Sequence, residues 1–225
     1  MPVKEYLEPE ETEKLESVAT CLRDKLLVRL LRRLGCRVSE VLNIEVDQID
    51  FTQRSVLIEH LKAHIKLECP KCSARLSKTS VFCPKCGSKV EKAIAQAKEF
   101  RRLRKLPIDQ DTLNLIREYI ERGGPVTKNG RQLLFDIGRQ WAWEIFQDLA
   151  QKAGLPKLIN PETGKVHHVS PHKLRDAFAI HAVKVNDTGD GIRLLQEHLG
   201  HQSIATTMKY RKVAGEELRD WFDKL

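Results

Sequence analysis

Apolar residues recur at helical spacing along most of the chain. Leu22, Leu26, Leu27, Leu30, Leu31 and Leu34 mark one face of a helix whose other face carries Arg23, Lys25, Arg29, Arg32 and Arg33. Residues 10–19 before it are acidic and amphipathic, which predicts two helices within 8–34. Gly35 interrupts the pattern, and residues 38–44 begin a new apolar run. Residues 46–51 and 56–58 then read as strands joined by a turn at 52–55. Residues 100–108 alternate basic and apolar side chains and predict another strand, closed by Pro107.

Beyond this strand the helical period returns. Leu113, Ile116 and Ile120 share a stripe over 111–122, with Asp109 or Asp111 available as a cap. Residues 140–153 predict a helix in which Trp141, Ile145 and Leu149 face inward, and both Trp141 and Trp143 are expected in the core. A loop rich in Pro and Gly spans 154–169. Helices are expected at 172–185, 191–199 and 203–209, followed by an amphipathic end at 216–225. Mostly helical stretches with a few strands give an α+β fold.

The 225 residues suffice for one sizeable core and a small appendage. With 31% charged and 41% hydrophobic residues, disorder is not expected. No apolar run approaches the ~18 residues that span a bilayer, and the N-terminus MPVKEYLEPEE lacks an apolar signal core. A cytoplasmic protein is therefore expected. The net charge of +8 suggests a polyanionic partner.

The cysteines sharpen the picture. Cys69-Pro-Lys-Cys72 and Cys83-Pro-Lys-Cys86 are two C-x-x-C knuckles ten residues apart, a spacing that suits one tetrahedral zinc ion. Four thiolates leave no open position for a catalytic water, so the metal would be structural. A metal would also supply folding energy that so small a loop lacks. Cys21 and Cys36 lie in apolar helical patterns and are expected as core thiols.

Three segments carry polar residues that a purely structural pattern does not need. In LGCRVSE, Arg37 follows a glycine break at a helix start, a setting suited to phosphate. In SPHKLR, Ser170 and Pro171 begin a helix and His172 and Arg175 share a face. In HLGHQS, Gly200 breaks one helix and Ser203 opens the next, which carries Tyr210.

Together, LGCRVSEVLNIEVDQIDF, SPHKLRDAFAIHAV and LLQEHLGHQSIATTMKYRKV resemble the three boxes of the tyrosine recombinase (phage integrase) family. The resemblance implies a mainly helical α+β catalytic domain with a small antiparallel sheet, formed by 1–63 and 98–225. A four-cysteine zinc ribbon over 64–97 would be inserted in the hairpin. It also implies site-specific DNA recombination or integration by a mobile-element enzyme, without metal or ATP in the chemistry. Tyr210 would attack phosphorus to give a 3′-phosphotyrosyl link, with Arg37 and Arg175 on the non-bridging oxygens. His172 would assist loss of the phenol proton, directly or by holding the phosphate, and His201 would donate a hydrogen bond to the phosphate. The family's hairpin lysine, the general acid, falls at Lys62, with Lys66 and Lys98 as alternatives.

Double-stranded DNA is the implied partner, and residues 23–33 and 101–105 offer backbone contacts. The tail at 216–225 places Leu218, Trp221, Phe222 and Leu225 on one face, for a homo-oligomer of two to four chains or for packing on its own core. The first box begins at Leu34, so the family's N-terminal core-binding domain is expected to be absent. Two other functions fit the same residues: a non-catalytic zinc-ribbon DNA-binding regulator, or a resolvase or topoisomerase-like enzyme using the same covalent link.

Overall fold

The computed structural model describes residues 4–60, 63–77, 79–91, 94–99, 102–160, 163–214, 222–223 and 225. The chain divides into two compact units, Met1–Ile58 with Arg104–Leu225, and Glu59–Leu103. The elements begin with α1 (Pro9–Ser17), α2 (Leu22–Leu34), α3 (Val38–Leu42), β1 (Ile49–Asp50) and β2 (Ser55–His60). The cysteine-bearing segment adds β3 (Ala63–Glu68), β4 (Arg75–Leu76) and β5 (Ile94–Glu99). Then follow β6 (Arg102–Pro107), α4 (Gln110–Glu121), β7 (Val126–Lys128), β8 (Arg131–Leu133) and α5 (Arg139–Lys152). The chain continues with β9 (Leu158–Ile159), β10 (Val166–His167), α6 (Pro171–Val185), α7 (Gly189–Leu199) and α8 (Ile204–Ala214).

Helix α2 is the hub of the larger unit. Leu26, Leu27, Leu30, Leu31 and Leu34 are buried against α1, α4 and α6. Each such side chain contributes about 1.5–3 kcal/mol by leaving water. The arginines of α2 pair with acids of the chain itself. Arg23 pairs with Asp24 at 2.8 Å, Arg29 forks onto Glu16 at 2.7 Å, Arg32 reaches Glu13 and Glu16 at 3.1 Å, and Arg33 reaches Asp109 at 3.0 Å. Of these cations, expected to contact phosphate, Arg23 and Arg33 keep 36% and 47% of their side chains exposed.

The strand expected at 46–51 is shorter than its apolar pattern. Val46–Gln48 winds into a single 3-10 turn, held where Glu45 N–H donates to the Gln48 side chain at 3.1 Å. Only Ile49 and Asp50 remain extended, paired antiparallel with Val56 and Ser55. The sheet order is β1-β2-β6. Asp109 caps α4 through Thr112 at 3.0 Å. Burial alone would raise the Asp109 carboxyl, but hydrogen bonds from Thr112 and Arg33 outweigh it and bring the pKa down to about 2.

Two core expectations fail. Trp141 and Trp143 are 52% and 42% exposed, because the buried stripe of α5 is Ala142, Ile145, Phe146, Leu149 and Ala150. The two indoles flank that stripe one residue either side of Ala142, about 100° round the helix. Cys21 is exposed at the start of α2, whereas Cys36 is buried. Burial pushes the Cys36 thiol up to about 12 and leaves it unreactive.

In the smaller unit, β3 pairs antiparallel with β5 from Ala63↔Glu99 to Glu68↔Ile94, and β4 adds to β3. Among the described residues its core holds Cys69, Leu76 and Cys83, with Leu67, Cys72, Ala74 and Val90 packed beside them. Among the described residues no helix is long and apolar enough to cross a membrane. Lys62, Leu218 and Trp221 lie outside the described residues, as does most of the tail; Phe222 and Leu225 are exposed.

Candidate active site

The site begins where α2 ends. Gly35 closes the helix with φ +57°, and a Cβ there would lie 2.4 Å from the Phe178 ring, so only glycine serves. The turn delivers Arg37 to the start of α3. Glu40, 3% exposed, accepts from the Arg37 backbone N–H at 3.0 Å and from its Nη1 at 2.9 Å. Glu40 also accepts from Arg104 Nη2 at 2.8 Å. One buried carboxylate therefore holds two guanidiniums. Arg104, on β6, donates its other nitrogen to the His198 carbonyl at 2.8 Å. The backbone contact expected of Arg104 is replaced by this internal clamp, while the side chains of Arg101 and Arg102 lie outside the described residues.

Helix α6 presents the second group. Its Pro171 fits the first turn, where an N–H would have no partner. Arg175 is 3% exposed and donates to the Gly35 carbonyl and the Leu199 carbonyl, both at 2.8 Å. It thereby ties the end of α2 to the end of α7. One turn earlier, His172 approaches Asp176 at 3.3 Å, and Lys173 approaches the same carboxylate at 3.4 Å. Burial pushes Asp176 up, but His172 and Lys173 outweigh it and hold it below the usual range. In return the Asp176 hydrogen bond raises His172.

The third group follows Gly200, which ends α7 at φ +67° with Arg104 so close that a Cβ would lie 2.5 Å from its Nη1. His201 Nε2 lies 3.1 Å from Arg175 Nη2, and its Nδ1 lies 2.9 Å from the buried Thr207 hydroxyl. An arginine can only donate, so Nε2 accepts and the proton resides on Nδ1. Burial, then Arg175 and Arg37, bring His201 down to about 4, so the ring is neutral near pH 7. The Tyr210 ring lies 6.1 Å from the His201 ring at 16°. Its hydroxyl donates to Asp176 at 3.2 Å. Burial, then Asp176, push the phenol up to about 12.

Arg37, His172, Arg175, His201 and Tyr210 line one pocket of about 410 Å³, with Cys36, Ser39, Arg139 and Thr206. The family resemblance pointed to these five but not to their supports. Asp176 sits inside the SPHKLRDAFAIHAV segment and was readable only as a helix-surface acid. Glu40 follows Arg37 by three residues, the one local signal available. Arg139 enters through the start of α5 with no motif to mark it. His198 braces the pocket from behind, bonding the Leu34 carbonyl at 2.8 Å and stacking on Phe178 at 5.0 Å. Lys66 and Lys98 fall on β3 and β5, and their side chains, like Lys62, lie outside the described residues.

In the smaller unit the four sulfurs of Cys69, Cys72, Cys83 and Cys86 all lie within 4.8 Å of one another. Cys69–Cys86 is 3.7 Å and Cys72–Cys83 is 3.6 Å. A tetrahedron with metal–sulfur bonds of about 2.3 Å has edges of about 3.8 Å, so the set fits one ion. Left-handed residues follow both knuckles at equivalent places, Ser73 at φ +55° and Gly87 at φ +68°.

The chain belongs to the phage integrase family, whose model matches residues 5–217. It is 28% identical over 218 residues to the tyrosine recombinase XerA of Pyrococcus horikoshii, covering 97% of this chain and 60% of that protein. The fold is that of tyrosine recombinase catalytic domains. A crystal structure of XerA recombinase superposes with a TM-score of 0.63 at 21% identity, over all of this chain and 66% of that one. The site-specific recombinase XerH, bound to its palindromic difH substrate after cleavage, superposes with a TM-score of 0.62 at 19% identity, over 97% of this chain and 52% of that one. The chain spans about three-fifths of the length of its XerA relative.

Proposed function

We propose that this chain is the catalytic part of a site-specific DNA recombinase that cuts and rejoins duplex DNA through a tyrosyl ester. One observation carries the reading: Arg37, His172, Arg175, His201 and Tyr210, from three separated segments, line a single pocket. Tyr210 Oη attacks phosphorus, the 5′-oxygen leaves, and the bond energy is kept in a 3′-phosphotyrosyl link. Arg37 and Arg175 neutralise the charge that gathers on the non-bridging oxygens. A phosphate in the pocket competes for the Arg175 nitrogens, which frees His201 to take the opposite tautomer, with Thr207 donating to Nδ1 and Nε2 donating to the phosphate. Lys62 protonates the leaving oxygen, with Lys66 and Lys98 as alternatives.

A phenol with its pKa pushed up to about 12 needs a proton acceptor at neutral pH. Asp176 receives the Tyr210 hydrogen bond and passes the demand to His172, which must be neutral to take the proton. Adduct formation therefore rises with pH through the raised His172 pKa. Asp176→Asn removes the cause of that rise. Its acidic limb is expected to move to lower pH, alongside about a tenfold or greater loss of rate. Single-turnover profiles between about pH 5.5 and 9 read this directly. An unmoved limb would separate His172 and Asp176 from the proton transfer.

The four cysteines hold a zinc ion that stabilises the smaller unit and takes no part in the chemistry. Cys72→Ser is expected to release the metal to a chromogenic chelator and lower the melting temperature, and an unchanged melting curve would argue against a structural metal. DNA-bound recombinases among the structural relatives support duplex DNA as partner. A cytoplasmic, nucleoid-associated enzyme of a mobile element, acting as a homo-oligomer of two to four chains through residues 216–225, completes the proposal. A nicked suicide duplex should trap a covalent protein–DNA adduct that survives denaturation and forms equally with chelator in a short assay. Failure on every sequence recovered by selection from a random pool would leave a non-catalytic DNA-binding protein on this fold.

A further inference from the structure

Nearly all of the chain's surplus positive charge sits in the cysteine-bearing unit. Glu59–Leu103 holds 11 Lys and Arg against 4 Asp and Glu, which is +7 of the total +8. The rest of the chain holds 28 against 27. Four thiolates around one divalent ion would still leave the unit at +5.

In the larger unit, Arg23, Arg29, Arg32, Arg33, Arg37 and Arg104 face acids, while Lys14, Lys25, Lys157 and Lys165 have no ion pair among the described residues. In the smaller one, Lys71, Arg75, Lys85 and Lys89 are exposed, and none has an ion pair among the described residues. Lys71 and Lys85 occupy the same place in the two knuckles, between Pro and Cys. The four-sulfur cluster fixes both turns, so little backbone freedom is lost when these lysines bind.

We infer that the cysteine-bearing unit is a DNA-contacting surface in its own right, which grips the phosphate backbone of a duplex without reading sequence. The inference rests on the proposed action on DNA and adds where most of the electrostatic affinity resides. Exposed cations with no ion pair among the described residues, on a polar, positively charged unit, match a polyphosphate, whereas an apolar protein partner would not call for them.

The test is the salt dependence of binding by the full chain to a duplex of arbitrary sequence, followed by fluorescence anisotropy. Each phosphate neutralised adds about 0.9 to the slope of log affinity against log salt. The combined variant Lys71→Gln, Arg75→Gln, Lys85→Gln and Lys89→Gln is expected to make that slope shallower by about 2–4. Lys14→Gln, Lys152→Gln, Lys157→Gln and Lys165→Gln in the larger unit remove the same charge and are expected to leave the slope within about 0.5 of the parent. Lys71→Gln and Lys85→Gln alone should each cost about 0.9, which keeps the test open if the combined variant folds poorly. Lys71→Arg with Lys85→Arg should retain the parent slope. Equal losses from both sets of four, or none from either, would overturn the inference, as would a slope lowered only on single-stranded RNA. A parent protein that binds steeply but forms no adduct would refute the catalytic reading alone. An adduct with an unmoved slope would refute this surface alone.

Discussion

Tyr210→Phe abolishes the covalent adduct while leaving duplex affinity within about twofold of the parent, a difference of less than ~0.5 kcal/mol. The substitution removes one oxygen from a half-buried ring whose packing against His201 is otherwise kept. The oxygen lost is the proposed nucleophile, and no water in its place would leave the protein attached to DNA. The lost hydrogen bond to Asp176 costs stability only modestly, about 1 kcal/mol. Denaturing gels of a nicked duplex incubated with each protein give the readout. An adduct of unchanged yield in the Phe variant would transfer the nucleophile to another residue and dismantle the mechanism.

The second large effect concerns a residue with no chemical role of its own. Glu40→Ala lowers the unfolding free energy by about 3–5 kcal/mol, the usual cost of removing one partner from a buried ion pair. The deleted carboxylate is 3% exposed and accepts from both Arg37 and Arg104. Without it, the Arg37 and Arg104 guanidiniums lose the carboxylate they share. For a domain of this size the melting temperature should fall by about 10 °C, at roughly 2–4 °C per kcal/mol. Glu40→Gln keeps the shape and acceptor oxygen, so its loss should be about half as large. Thermal and urea melts would decide. A shift under about 2 °C would mean that solvent already screens the pair.

The arginine-rich face of α2 shows how far a pattern carries. Its spacing placed Lys25, Arg29, Arg32 and Arg33 on one side of a helix, since residues three and four apart share a face, whereas Arg23 lies on the side of the buried leucines. Spacing could not say whether they were spoken for. Glu16 lies 13 residues from Arg29, and Asp109 lies 76 residues from Arg33. The tryptophans of α5 fail for a related reason: a large aromatic reads as core from composition, but the smaller Ala142 takes the buried position between them.

The amino-acid order alone determined the helix periods, a cap for α4 at Asp109 or Asp111, the cysteine knuckles and the three segments that supply the pocket. All of these are contacts or repeats within a few residues, where spacing and geometry are the same thing. Tertiary structure alone decided that Arg104 joins Glu40 and the His198 carbonyl, 64 and 94 residues away, and that Arg175 reaches Gly35 across 140. It also decided the tautomer of His201, the pairing of Asp176 with Tyr210, and which of the described arginines meet acids distant in sequence. Such features depend on which acid or carbonyl folding brings alongside, and in a low-dielectric interior that neighbour, more than the residue's own chemistry, sets charge, hydrogen bonding and pKa.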